Sequence, residues 1–508
     1  MLDATPLLRA YARLRQHRRA RRSPAETQAD TLRRLVAQAR GTRFGREHGF
    51  ADIRTVADFQ RAVPLRDYEA FHRDYFAPTF PLLDNVTWPG RIPFFAVSSG
   101  TTSGRTKHIP VSRQMLHSNA RAGTDLLADH VTNCPGSEVL SGKSFLLGGS
   151  VAMTDLGGGV CSGDLSGIAR LNNPRWSTPF VFPALAEALD ADWDRRIDRL
   201  ARLSLDEPIR CIAGTPSWLL LFLDRLAALA GGGHDIGALY PGLELMVYGG
   251  MSFRPYRSAF EAWCGGRPID WREVYSASEG FVASADRGVD EGMRLNLDIG
   301  LFYEFVPVAQ RDAPDPPRYV VGTAPPGEYA LVLSTCAGLW AYCIGDVVEL
   351  LPGDPPRVRV TGRTAYFLNA FGEHLSGDEL ERAVLAAAGA IGIDVVEFAV
   401  TPLYPGAADR RGRHRFVVEL ARPATGAAAE TFAQVLDHTL RAGNEDYDVH
   451  RQGDVQLMAP DVAFVSPGAF ARWMAARGKL GGQNKVPRVV HDGPVRDSLL
   501  EFARGRSV

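Results

Sequence analysis

No stretch of the 508 residues approaches the ~20 consecutive apolar positions that a membrane-spanning helix needs. Cysteine is sparse: Cys134, Cys161, Cys211, Cys264, Cys336 and Cys343 are scattered, with no C-x-x-C pair. A zinc ribbon or thioredoxin-like motif therefore has no support, and free thiols in a reducing compartment are the simpler reading. Net charge is nearly absent too, with 57 Lys and Arg against 58 Asp and Glu. Such a balance gives no general attraction to nucleic acid or to an anionic membrane. The basic run of Arg18, Arg19, Arg21 and Arg22 reads as solvated surface. No apolar core follows it, so it is not a secretory signal. A cytoplasmic protein without nucleic-acid or membrane partners is expected. H-E-x-x-H and G-x-S-x-G are both missing, which leaves zincin and serine-hydrolase chemistry unsupported.

What is present is length and alternation. A chain of 508 residues exceeds one core, so two or more domains are expected. Apolar spacing at Leu32, Leu35 and Val36 predicts an amphipathic helix over residues 25–40. Strands are predicted at 94–97, 144–147 and 243–247, and helices at 112–131 and 216–230, with Pro216 in a first turn. That alternation indicates an α/β domain. From about residue 295 strands dominate, at 301–306, 329–333 and 346–350, suggesting a β subdomain built as a small barrel. The last ~140 residues read as a separate α+β domain. There Ser376 and Glu379 fit a capping box, strands are expected at 395–400 and 415–420, and a helix at 428–441.

The chemistry concentrates in short segments. Ser98, Ser99, Thr101, Thr102 and Ser103 place a hydroxyl at every side-chain-bearing position around Gly100, and Lys107 follows Gly104 at a short distance. Hydroxyls, backbone N–H groups and a lysine together suit a phosphate. The loop is not a Walker A, because three residues rather than four separate its glycines. Gly249 and Gly250 follow a buried strand and could lie flat against a planar ring. Tyr275, Ser276, Ser278 and Glu279 put an aromatic ring, two hydroxyls and a carboxylate in one short span, and a carboxylate beside triphosphate suits Mg²⁺. Asp346 follows Gly345 near a strand and could accept from ribose hydroxyls.

Taken in order, these segments make the chain resemble the GH3 acyl acid amido synthetases, within the adenylate-forming superfamily. The pattern S-S-G-T-[ST]-x-G-x-x-K is met from Ser98 to Lys107, and Y-x-x-S-E-[GS] from Tyr275 to Gly280. A third, around Y-R-x-G-D, is met in part from Tyr342 to Asp346. Residues 42–50, 63–68, 327–338, 444–447 and 484–488 also resemble the family's segments. The resemblance implies a large multi-sheet N-terminal adenylation domain (1–363) with a β subdomain, plus a small mobile α+β domain (364–508). It implies ATP and Mg²⁺ as cofactors, and a carboxylic acid and an amine, such as an amino acid, as substrates. Ser98, Ser99, Thr101, Thr102 and Lys107 would surround the phosphates. Gly249, Gly250 and Tyr275 would border adenine, Ser278 the α-phosphate, and Glu279 would hold Mg²⁺. Asp346 would hold the ribose, with Arg363 near the interdomain hinge. Lys485, with Lys479 as competitor, would be the C-terminal catalytic lysine. The chain departs from the family where two arginines are replaced by Ala341 and Cys343, which bears most on the acceptor. A thioester-forming ligase loading coenzyme A or a carrier protein is the alternative, and a non-catalytic nucleotide-binding protein is the reading from another class. The acid pocket is expected near Trp218 and Met251, favouring an aromatic or aliphatic acid.

Overall fold

The computed structural model describes residues 3–504 except 100–105, 149–150, 188–192, 232, 234, 251–252, 312, 364–367, 369–374, 404–411, 445–446, 449–450, 452–456, 480–484 and 491–492. Contacts divide the chain into two units: residues 1–252 with 259–360, and residues 253–258 with 361–508.

The first unit carries a four-stranded and a twelve-stranded sheet. Five strands of the larger sheet run parallel side by side: Val181–Phe182, Lys143–Leu147, Ile209–Gly214, Leu245–Gly249 and Asp270–Ala277. Helix Pro216–Leu229 begins with its proline in the first turn, where a missing N–H costs least. Helix Pro24–Ala39 is closed by a Ser23/Glu26 capping box and buries Leu32, Leu35 and Val36, which is the face the apolar spacing indicates.

The strand-rich region does not form a barrel of its own. Strands Leu301–Pro307, Gly327–Thr335, Tyr342–Leu351 and Arg357–Arg363 continue the same twelve-stranded sheet. The join is made by the short strand Met293–Leu295, which pairs with Gly280–Ser284 on one side and Arg357–Arg363 on the other. Three residues are too few to show an alternating pattern, so the link is invisible to periodicity. The strand expected at 346–350 also starts earlier, at Tyr342. Its first residues pair with the Arg66 backbone: Arg66 N donates to Ala341 O at 3.0 Å, and Cys343 N donates to Arg66 O at 2.8 Å.

The N-terminal basic run is partly engaged inside the unit. Arg19, on helix Thr5–Ala20, pairs with Asp125 at 3.0 Å and Asp129 at 3.1 Å. Arg15, buried on the same helix, bridges Asp125 and Asp298 at 2.5 and 2.8 Å. Among the described residues no helix is long and apolar enough to cross a membrane.

The second unit is α+β. Strands Val395–Leu403 and Arg413–Leu420 pair antiparallel, and Asp461–Val465 joins them in parallel. Helix Gly377–Ile391 starts at the Ser376/Glu379 capping box. Residues 253–258 belong to this unit, where Arg254 pairs with Asp378 at 2.9 Å and Tyr256 Oη donates to Glu397 Oε2 at 3.3 Å.

Candidate active site

The phosphate-loop candidate is flanked by two paired strands. Strands Phe94–Ser99 and Thr106–Val111 pair antiparallel, with Ser98 opposite Lys107 and Ser99 opposite Thr106. Thr101 and Thr102 lie outside the described residues, as do the side chains of Ser98 and Ser99. Helix Arg113–Asn133 begins only after the second strand, capped by Ser112. Lys107 is half-buried, and its ammonium sits 5.4 Å from the centre of the Tyr68 ring. The Tyr68 hydroxyl accepts from His108 N at 2.8 Å.

Two glycines end the neighbouring strand Leu245–Gly249. Gly249 lies opposite Val274 in a parallel pair, and a Cβ there would fall 2.4 Å from Val274 O. Gly250 has φ +86°, the left-handed region that glycine enters without steric cost. Both positions therefore require glycine, and they leave bare backbone at the end of the parallel strands.

Beside them, Tyr275 and Asp346 meet. Tyr275 Oη donates to Asp346 Oδ2 at 2.5 Å, and both residues are buried. Ser278 and Glu279 occupy the tight turn between Asp270–Ala277 and Gly280–Ser284, both half-buried. Tyr342 Oη donates to Glu279 Oε1 at 3.2 Å. Burial, and then the charge of Glu279, pushes the Tyr342 phenol well above its ordinary value, so it stays protonated and donating. Two carboxylates that lie 67 positions apart in the chain, at 279 and 346, are thus each held by a buried tyrosine. The Tyr342 ring packs 5.9 Å from Phe71, on the short helix Tyr68–Phe71 that also carries the ring facing Lys107.

Other candidates stand differently. Arg363 ends strand Arg357–Arg363, and its side chain lies outside the described set. Lys485 is exposed and belongs to the second unit. In the same unit the Lys479 backbone N donates to Met474 O at 2.9 Å, closing helix Ala469–Ala476. Trp218 is half-buried on helix Pro216–Leu229, and Met251 is outside the described residues. The two positions where arginines are lost face the core. Ala341 is 0% exposed, with φ +46°. The Cys343 thiol is pushed up to about 11 by burial and by nearby Asp67. A guanidinium at 341 would have no open space. Tyr68 falls in the family-like segment 63–68 and Tyr342 opens the third motif, but the contacts they make with Lys107 and Glu279 carry no signature in the sequence.

A second titratable cluster lies at the start of strand Asp270–Ala277, away from the site at its end. His130 Nδ1 is 2.7 Å from Asp270 Oδ2, Arg272 Nε donates to the same oxygen at 2.7 Å, and Cys134 Sγ is 3.8 Å from it. The arginine already compensates the carboxylate. Burial opposes charge on His130, but Asp270 and Glu244 outweigh it and raise its pKa, while both carboxylates are lowered. The raised His130 value means its stabilising contribution is full below about pH 6.5 and is lost as pH rises through the folded-state value. The carboxylates' contribution is present above about pH 4 and is lost as pH falls through their lowered values. His130→Gln should therefore destabilise by about 1–3 kcal/mol at pH 6 and by distinctly less at pH 9, read by urea unfolding. Equal losses at both pH values would show that His130 is neutral in the fold.

Solved structures share this fold. A 2-hydroxyisobutyryl-CoA ligase in its post-adenylation state matches with a TM-score of 0.61 at 15% identity, over 94% of this chain and 91% of the ligase. The GH3.15 acyl acid amido synthetase matches with a TM-score of 0.80 at 16% identity, over 95% of this chain and 93% of that one. The chain belongs to the GH3 family: the family's N-terminal domain matches residues 13–147, its central domain 295–363 and its C-terminal domain 378–494. Curated relatives include the indole-3-acetic acid-amido synthetase GH3.8 of Oryza sativa subsp. indica, 28% identical over 284 residues, 51% of this chain and 44% of the relative. The probable indole-3-acetic acid-amido synthetase GH3.9 of Oryza sativa subsp. japonica is 28% identical over 276 residues, 49% of this chain and 59% of the relative. The alignments span about half the length of these curated relatives.

Proposed function

We propose that the chain is an ATP-dependent acyl acid amido synthetase. It joins a carboxylic acid to the α-phosphate of ATP, releasing pyrophosphate, and then passes the acyl group to an amine such as an amino acid, releasing AMP. The observation that carries this reading is the convergence of Tyr275–Asp346 and Tyr342–Glu279 beside the bare backbone of Gly249 and Gly250. Membership of the GH3 family supports it.

The chemistry follows from charge. A carboxylate is a poor electrophile because its leaving group would be oxide, and adenylation substitutes AMP. The protein must neutralise the phosphates and hold the acid in line. Lys107, opposite Ser98 on strand Thr106–Val111, brings one positive charge to the phosphates. Gly249 and Gly250 let adenine lie against the backbone beside Tyr275, while Asp346 accepts from the ribose. Ser278 would meet the α-phosphate, and Ser98, Ser99, Thr101 and Thr102 would donate along the chain of phosphates. Glu279 offers a carboxylate oxygen, a hard donor that suits Mg²⁺, and the ion when bound would neutralise phosphate charge. Lys485 is assigned to the acid and α-phosphate, with Arg363 near the junction of an adenylation domain (1–363) and a smaller domain (364–508). The six cysteines are free, which suits the cytoplasm.

The test is acid-dependent pyrophosphate release from ATP across aromatic and aliphatic acids, followed by product mass with amino acids or coenzyme A as acceptor. An amide product is expected. A thioester without amide would assign the alternative ligase class, and no release with any acid would leave only a nucleotide-binding protein.

A further inference from the structure

We propose that Tyr68 is a positioning residue that aims Lys107 at the phosphates, an inference resting on the nucleotide site proposed above. Tyr68 lies in none of the three motifs. It opens the short helix Tyr68–Phe71, whose N-cap Asp67 accepts from Ala70 N. Its ring is buried, at 5% exposure, and presents a face to the Lys107 ammonium at 5.4 Å. That distance lies within the range of a cation–π contact, and burial of the ring strengthens such a contact. The hydroxyl is used separately, accepting from the His108 backbone at 2.8 Å. One side chain thus grips the hairpin strand Thr106–Val111 twice, at consecutive residues: by its backbone at 108 and by its charge at 107.

The grip has a functional reason. Thr106–Val111 is an edge strand of its four-stranded sheet, paired on one side only. A lysine on an edge strand has four freely rotating methylene links and would ordinarily sample solvent. The ring face restricts it without neutralising it, as a carboxylate partner would. The ammonium is therefore left to pair with an anion arriving beside strand Thr106–Val111. The supporting helix is itself anchored to the other half of the site, since the Arg66 backbone bonds on both sides of Tyr342 and Phe71 packs against the Tyr342 ring. Tyr68 thereby ties the lysine to the element that holds Glu279.

The full-length chain tests this with two readouts: affinity for a non-hydrolysable ATP analogue by calorimetry, and steady-state pyrophosphate release. Tyr68→Leu is expected to weaken analogue binding and raise KM for ATP roughly tenfold. The KM for the acid should stay within about twofold, whereas kcat at saturating ATP should fall as well, because Lys107 meets the charge that builds on the phosphates during attack. Tyr68→Phe keeps the ring face and should recover most of the loss. In a Lys107→Ala background, Tyr68→Leu should add nothing, because its effect acts through the lysine. Tyr68→Met serves the same comparison should the leucine variant not fold. Additive losses in the Lys107→Ala background, equal losses for ATP and acid, or unchanged analogue affinity would each overturn the inference. Analogue binding that follows the expected pattern, in a protein that releases no pyrophosphate with any acid, would uphold Tyr68 and defeat the synthetase reading instead.

Discussion

Replacing Lys107 by alanine is expected to slow acid-dependent pyrophosphate release by about 10²–10³-fold, or roughly 3–4 kcal/mol of transition-state stabilisation. Charge builds on the phosphates as the α-phosphate is attacked, and a positioned cation gains most at that moment. Lys107 is held opposite Ser98 near the loop-side end of the paired strands, with its ammonium against the Tyr68 ring. Lys107 is half-buried against the Tyr68 ring, so its truncation should also cost about 1 kcal/mol of stability, read by urea unfolding. Lys107→Arg preserves charge but carries a planar fork in place of a compact ammonium, and it should restore only part of the rate. A loss below tenfold in Lys107→Ala would remove the lysine from the phosphate site.

The second large effect concerns stability. Glu304 is 0% exposed on strand Leu301–Pro307. Arg318 meets it with two parallel bonds, Nε to Oε1 and Nη2 to Oε2, both 2.9 Å. The remaining Arg318 nitrogen donates to Gln60 O at 3.0 Å and Val63 O at 2.7 Å. Arg318→Leu would leave a carboxylate buried with only the Gln60 amide beside it, and should cost about 3–5 kcal/mol. Natural domains have about 5–15 kcal/mol in total, so the change removes a large share. The double variant Glu304→Gln, Arg318→Leu should recover part of the loss, since no uncompensated charge remains. Urea unfolding of the two variants measures both effects. A loss under about 1 kcal/mol in the single variant would mean that water reaches Glu304. Because Arg318 also fastens the backbone at 60–63, just before Arg66 and Tyr68, its loss should soften the support of the site as well as the fold.

Much of this arrangement is legible in the residues, for local reasons. The capping boxes at Ser23/Glu26 and Ser376/Glu379 act within one helical turn, so sequence spacing is enough to find them. Gly249 and Gly250 can be singled out because only glycine tolerates the contact and the dihedral found there. Tyr275, Glu279 and Asp346 stand out because polar groups clustered after apolar strands are conspicuous. Long-range partners are not legible in this way. Nothing local in Glu304 says that Arg318, fourteen residues on, will neutralise it across a hairpin. Nothing in Tyr342 says that its phenol will meet Glu279 rather than water. The continuity of the twelve-stranded sheet rests on the three residues of Met293–Leu295, and the expected barrel fails there. Tyr68 lies in a segment that resembles the family, but its contact with Lys107, 39 positions on, has no local signature.

Residues 253–258 sit with the second unit although the chain returns to the first at 259. The polypeptide therefore passes between the units after 252, 258 and 360. A fragment beginning at 361 would lack buried Phe253 and Tyr256 and would leave Glu397 without the Tyr256 hydroxyl. A chimera that takes residues 361–508 from a relative should therefore be more stable when it also carries that donor's residues 253–258.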